Sequence, residues 1–124
     1  MTPHFSTVEL TCKCGCGMLP QQSFMNKVEK LRVAYGASLP VSSAARCAKY
    51  NLQVSNTGLE GPHTTGRAID LLVARKAAFV LLGLVLDSGD FTGVGLKQSG
   101  GGRFIHLDDL VDSPTQPRPT VWTY

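Results

Sequence analysis

Two apolar runs of this chain carry ionisable residues where a core strand would ordinarily carry none: Ala68-Ile-Asp-Leu-Leu-Val, with Asp70, and Phe104-Ile-His-Leu-Asp, with His106 and Asp108. An ionisable group taken out of water without a partner is strongly unfavourable, so any fold of this sequence must bring partners to these positions. Asp70 and His106 are 36 residues apart. A shared ion between two neighbouring strands satisfies both at once. His63 lies at the end of the polar loop Ser55-Asn-Thr-Gly-Leu-Glu-Gly-Pro, which leads into the first run, and is the third candidate for that ion.

The rest of the chain supplies ordinary core material. Its 124 residues suit a single domain, 1–124, long enough to bury a continuous core. From Pro20 to Tyr35, Phe24, Val28 and Leu31 recur at i, i+4 and i+7, which predicts an amphipathic helix stopped at Gly36. Leu39 to Ser43 reads as a short strand, Arg46 to Val54 as a turn or brief helix, Gly66 to Val73 as a buried strand, and Arg75 to Asp87 as an apolar helix closed by Ser88-Gly89. Phe91 to Leu96 and Arg103 to Leu107 read as strands joined through Lys97-Gln-Ser-Gly-Gly-Gly. The tail, with Pro114, Pro117 and Pro119, reads as an extended strap whose Trp122 packs back on the body. These elements define an α+β chain with a small antiparallel sheet and helices packed against one side.

The net charge of +3 comes from scattered lysines and arginines without a dense basic run, which argues against nucleic acid as a partner. The longest apolar stretch, Ala77 to Leu86, falls far short of the roughly 20 residues that span a bilayer, so no membrane partner is expected either. The N-terminus lacks a basic segment followed by an apolar one, and cytoplasmic synthesis as a soluble monomer is the expectation.

Two histidines and a carboxylate are a common ligand set for catalytic zinc, which takes three protein ligands and keeps a fourth position open. His63, Asp70 and His106 supply that set, and the small residues Gly66 and Ala68 let backbone approach the ion closely.

The pattern H-x-x-G-x-A-x-D at His63–Asp70, with the later Phe104-Ile-His-x-Asp108, resembles the M15 family of zinc D-Ala-D-Ala carboxypeptidases and murein peptidases. Phe5-Ser-x-x-Glu9-Leu, Cys12-Lys-Cys-Gly-Cys-Gly, Ser42-Ser-x-x-Arg46 with Asn51 after it, Phe91-x-Gly-Val-Gly95 and Arg118-x-x-x-Trp122 look like its short phage and prophage members. The resemblance implies Zn2+ on His63, Asp70 and His106 in a groove across the sheet. Arg46 would orient substrate or steady charge on the attacked carbonyl, a role suited to a permanent cation with fixed donors. The implied reaction is hydrolysis of peptidoglycan stem peptides, by a carboxypeptidase or an endopeptidase, with the protein reaching the wall after release or export.

One departure matters for mechanism. Many M15 members place an acidic residue three positions before the last histidine ligand, or a histidine two before it, and this chain has Arg103 and Phe104 there. Asp108, two residues beyond His106 on the same strand face, is then the leading general base, with an orienting role toward His106 as the equal alternative. Glu60 and Asp90 are weaker candidates.

Cys12, Cys14 and Cys16 alternate as if on one face of an extended segment, and Cys47 follows Arg46. Two disulfides, a thiolate metal site and free thiols all stay open, with reduced thiols the default for a chain without a signal peptide. The rival to an enzyme is a cell-wall-binding or virion module that keeps the peptidase fold without turnover. A thiol-metal protein centred on the cysteines would leave His63, Asp70 and His106 unexplained.

Overall fold

The computed structural model describes Met1–Tyr124. Its strands β1 (Val41–Ser43), β2 (Ala68–Leu72), β3 (Gly93–Lys97), β4 (Phe104–Asp108) and β5 (Thr120–Thr123) form one sheet in the order β1-β2-β4-β3-β5. Side chains alternate across a strand, so each central strand sorts its residues between two faces. Ile69 and Leu71, Val94 and Leu96, and Ile105 and Leu107 share one face, while Asp70, Gly93, Gly95, His106 and Asp108 share the other.

The apolar face is covered by helices α2 (Gln22–Tyr35) and α4 (Arg75–Ser88). From α2 come Phe24, Met25, Val28 and Leu31, and from α4 Ala78, Leu81 and Val85, all within the buried core. The stripe expected from Phe24, Val28 and Leu31 is the packed one. At the rim of this layer, half-buried Asp109 accepts from Arg67 Nη2 at 2.6 Å and Lys27 Nζ at 2.7 Å, tying α2, the approach to β2 and the end of β4 together. No helix is long and apolar enough to cross a membrane.

The sheet differs from expectation at its edge. The tail forms a strand, β5, hydrogen-bonded parallel to β3, so the sheet is mixed instead of wholly antiparallel. Chain geometry explains this. Strand β4 ends at Asp108, opposite Gly93, and residues 109–119 return the chain beside Gly93, so β5 starts at the same end as β3 and runs with it.

Two short helices complete the fold, of which only the second was expected. Helix α1 (Thr7–Leu10) is closed by a capping box in which Ser6 Oγ accepts from Glu9 N–H and Glu9 Oε2 accepts from Ser6 N–H at 3.1 Å. Arg46 to Val54 resolves into helix α3 (Ala48–Val54), with Cys47 as its N-cap.

Candidate metal centre

Sheet register builds the site. In the β2–β4 pair Asp70 stands directly opposite His106, and in the β3–β4 pair Gly95 stands opposite His106 and Gly93 opposite Asp108. Both glycines provide room. A Cβ on Gly93 would run into the Asp108 carboxylate, and one on Gly95 would lie 2.7 Å from the Trp122 indole. Trp122, paired with Gly95 across β5, thereby lies over His106 with ring centroids 5.1 Å apart.

His63 arrives from a different element, the 3-10 helix Pro62–Thr65, which opens on proline and ends at Gly66. Its Nδ1 is 2.6 Å from the Ala44 carbonyl oxygen, which can only accept, so Nδ1 carries a proton and Nε2 is the nitrogen turned toward the site. That Nε2 lies 3.2 Å from Asp70 Oδ2. On the other side His106 Nδ1 is 3.0 Å from Asp70 Oδ1, and His106 Nε2 is 2.8 Å from Asp108 Oδ2. One donor atom from each of His63, Asp70 and His106 falls within 4.8 Å of the others, and all three side chains are buried.

Charge in the site is arranged to keep both carboxylates ionised. Burial pushes the Asp70 carboxyl up, but hydrogen bonds and charge from His106 and His63 outweigh it and hold it far below the usual carboxylate range. Burial likewise opposes ionisation of Asp108, yet His106 and Arg118 hold it down to about 2. His106 is pushed up despite burial, because Asp108 and Asp70 flank its two nitrogens.

The family model for Peptidase M15 matches residues 3–108. The chain belongs to the peptidase M15 family. No curated protein matches it. M15 peptidases are zinc peptidases, and the donor set here fits that ion: two imidazole nitrogens and one carboxylate, with the outer nitrogen of each ring already fixed by Ala44 or Asp108.

Beside the M15 centre opens a cleft of about 460 Å³ whose lining includes Arg46, Thr57, His63, His106, Trp122 and Tyr124. Arg46 is positioned by α3, where its Nη1 donates to Asn51 Oδ1 at 3.1 Å, and by its own N–H, which donates to the His63 carbonyl at 3.1 Å. Its Nη2 is 3.9 Å from Asp70 Oδ2, and its Nε is buried without a partner. This guanidinium has donors to spare at the edge of the cleft.

The remaining sequence candidates separate. Asp108 is fully buried; one oxygen accepts from Arg118 Nε at 2.9 Å, and the other accepts from Arg118 Nη2 at 2.8 Å and meets His106. These are the contacts of a carboxylate that orients an imidazole, the second of the two roles open to it. Glu60 is exposed and Asp90 pairs with Lys30 of α2, and neither lines the cleft. Phe104 lines it, packed against Tyr124 with centroids 5.1 Å apart, so Asp70 is the one carboxylate in the lining.

Four residues that shape the site carry no site role in the sequence reading. Ala44 acts through its backbone carbonyl, which no side-chain pattern reveals. Arg118 and Trp122 were visible as a spaced pair, but their partners Asp108 and His106 lie across the sheet. Tyr124 joins the cleft only because β5 forms.

Proposed function

We propose that this M15 peptidase hydrolyses a peptide bond in peptidoglycan stem peptides, one involving a D-amino acid, in the manner of a D-Ala-D-Ala carboxypeptidase or murein endopeptidase. The observation that carries the reading is the convergence of His63 Nε2, the Asp70 carboxylate and His106 Nδ1 at a cleft that also receives Arg46. His63, Asp70 and His106 would hold zinc. When bound, that ion supplies Lewis-acid polarisation of the scissile carbonyl and acidifies water at its open position.

The chain's own groups do the rest. Ala44 and Asp108 fix the two imidazoles so that the correct nitrogen of each faces Asp70. Arg46 offers the free donors of its Nη2 to the oxygen of the attacked carbonyl or to a terminal carboxylate of the peptide, where a fixed guanidinium stabilises developing charge. Trp122 and Phe104 wall the cleft and limit water around the reacting carbonyl. Asp108 serves His106 as a positioning residue, its carboxylate committed to Arg118.

One observation favours a second reading. With no carboxylate in the cleft besides Asp70, a wall-binding or virion module without turnover keeps the same geometry. Mass spectrometry of zinc-loaded protein incubated with defined muropeptides separates the two. Release of D-alanine, free amines or shorter stem fragments, abolished in His106→Ala, supports the peptidase. Binding of the same muropeptides with no product supports the module.

A further inference from the structure

A second cluster of metal-ligating side chains lies outside the centre described above. Cys12, Cys14 and Cys16, in the segment after α1, and Cys47, the cap of α3, bring their Sγ atoms within 4.8 Å of one another. None of these thiols is paired in a disulfide. Cys14 Sγ is 3.4 Å from Cys12 Sγ and 3.6 Å from Cys47 Sγ. Zinc–sulfur bonds of about 2.3 Å place the corners of a tetrahedron about 3.8 Å apart, within the span of this cluster.

The backbone is shaped for that convergence. In an extended strand, residues two apart face the same way but stand about 6.6 Å apart, too far for three sulfurs to share one ion. The segment curls instead: Gly15 and Gly17 adopt φ of 88° and 85°, Gly15 N–H donates to the Cys12 carbonyl at 3.2 Å, and Cys12 N–H donates to the Met18 carbonyl at 2.9 Å. The extended arrangement expected for the alternating cysteines is thus replaced by a loop, because glycine permits the left-handed turns that fold it back. Two further N–H groups point at sulfur, from Cys47 to Cys12 Sγ at 3.3 Å and from Tyr50 to Cys47 Sγ at 3.4 Å. Such donors stabilise anionic sulfur, the form that binds metal.

We propose that Cys12, Cys14, Cys16 and Cys47 hold a structural zinc ion, distinct from the His63–Asp70–His106 centre, which fastens the N-terminal segment to the loop carrying Arg46. Four sulfur ligands leave a zinc ion no open position, so the site is structural and takes no part in hydrolysis. Its position gives it a task. Cys47 follows Arg46 and caps α3, whose Asn51 holds the Arg46 guanidinium, and the same two segments already meet through Ala45 N–H to the Leu10 carbonyl at 3.3 Å and Lys13 Nζ to the Ser42 carbonyl at 2.6 Å. The ion closes this junction from the sulfur side.

The test uses the full chain purified under reducing conditions, with metal analysis and cobalt substitution. The proposal expects about two zinc ions per chain, and an intense near-ultraviolet thiolate-to-cobalt absorption when cobalt replaces zinc. His63→Ala/His106→Ala should lose one zinc and keep that absorption, whereas Cys14→Ser/Cys16→Ser should lose the absorption and keep one zinc. Absence of the absorption in the unaltered chain, or iron in place of zinc, would each overturn it. The cobalt spectra of the unaltered chain and of the histidine variant decide the matter even where the cysteine variant does not fold. Because the readout is coordination and not turnover, failure here leaves the peptidase reading standing, and failure of the muropeptide assay leaves this one standing.

Discussion

Replacing Asp108 with asparagine separates the orienting role from the proton-carrying one. The carboxylate is fully buried, with one oxygen shared between His106 Nε2 and Arg118 Nη2 and the other taken by Arg118 Nε. Asparagine keeps one acceptor and puts an NH2 where the second oxygen was, so Arg118 faces a donor whichever way the amide turns, and His106 does in one of the two orientations. Removing one partner of a buried pair costs about 3–5 kcal/mol, and the surviving amide oxygen places this variant near the lower figure. At this chain length that is a fall in Tm of about 10 °C. A zinc-bound imidazole that loses its outer partner typically gives up about 10- to 100-fold in metal affinity. Zinc affinity is measured by competition with a fluorescent chelator, and Tm by circular dichroism of the metal-free and zinc-bound protein. Unchanged zinc affinity and Tm, with hydrolysis abolished, would show that Asp108 carries a proton and would refute the orienting assignment.

Arg46→Lys should lower kcat by about 100-fold while zinc content stays the same, since a lysine cannot reproduce the guanidinium's fixed donors; steady-state kinetics beside metal analysis checks this. Gly95→Ala places a Cβ against the Trp122 indole and should destabilise the fold by about 1–3 kcal/mol in urea denaturation. Leu81→Ala empties a fully buried position beneath the sheet and should cost about 2–5 kcal/mol by the same assay. Burial pushes the Asp109 carboxyl up, but Arg67 and Lys27 outweigh it and lower its pKa on folding. Its contribution is therefore complete above the unfolded carboxyl range and lost as pH falls through the lowered folded value. In Asp109→Asn, the Tm should accordingly decline less between pH 5 and pH 2 than in the unaltered chain (about the interval over which such carboxylates protonate).

The parts of the molecule legible from sequence are those whose signal is local. Asp70 and His106 stood out because each interrupts an apolar run, and the same alternation that buries Ile69 and Ile105 turns them to the opposite face. The α2 stripe was readable for the same reason, with Phe24, Val28 and Leu31 at helical spacing. Strand β5 was not readable: only Thr120–Thr123 pair, after an irregular connection rich in proline, and their partner β3 lies far back in the chain. With β5 hidden, the contacts of Arg118 with Asp108 and of Trp122 with His106 were hidden too. Helix α1 is a single turn with no room for periodicity, although Ser6 and Glu9 carry a capping-box spacing that would have located it. Alternation at Cys12, Cys14 and Cys16 suggested an extended segment because side-chain spacing alone does not register the positive φ of Gly15 and Gly17.

Everything proposed for catalysis depends on one ion shared by side chains from a 3-10 helix and two strands. Anomalous diffraction at the zinc absorption edge, from crystals grown with zinc, tests it directly. A peak is expected about 2.0–2.2 Å from His63 Nε2, an Asp70 carboxylate oxygen and His106 Nδ1. No peak among these three atoms, or one bound instead through His106 Nε2 with Asp108 displaced, would contradict it.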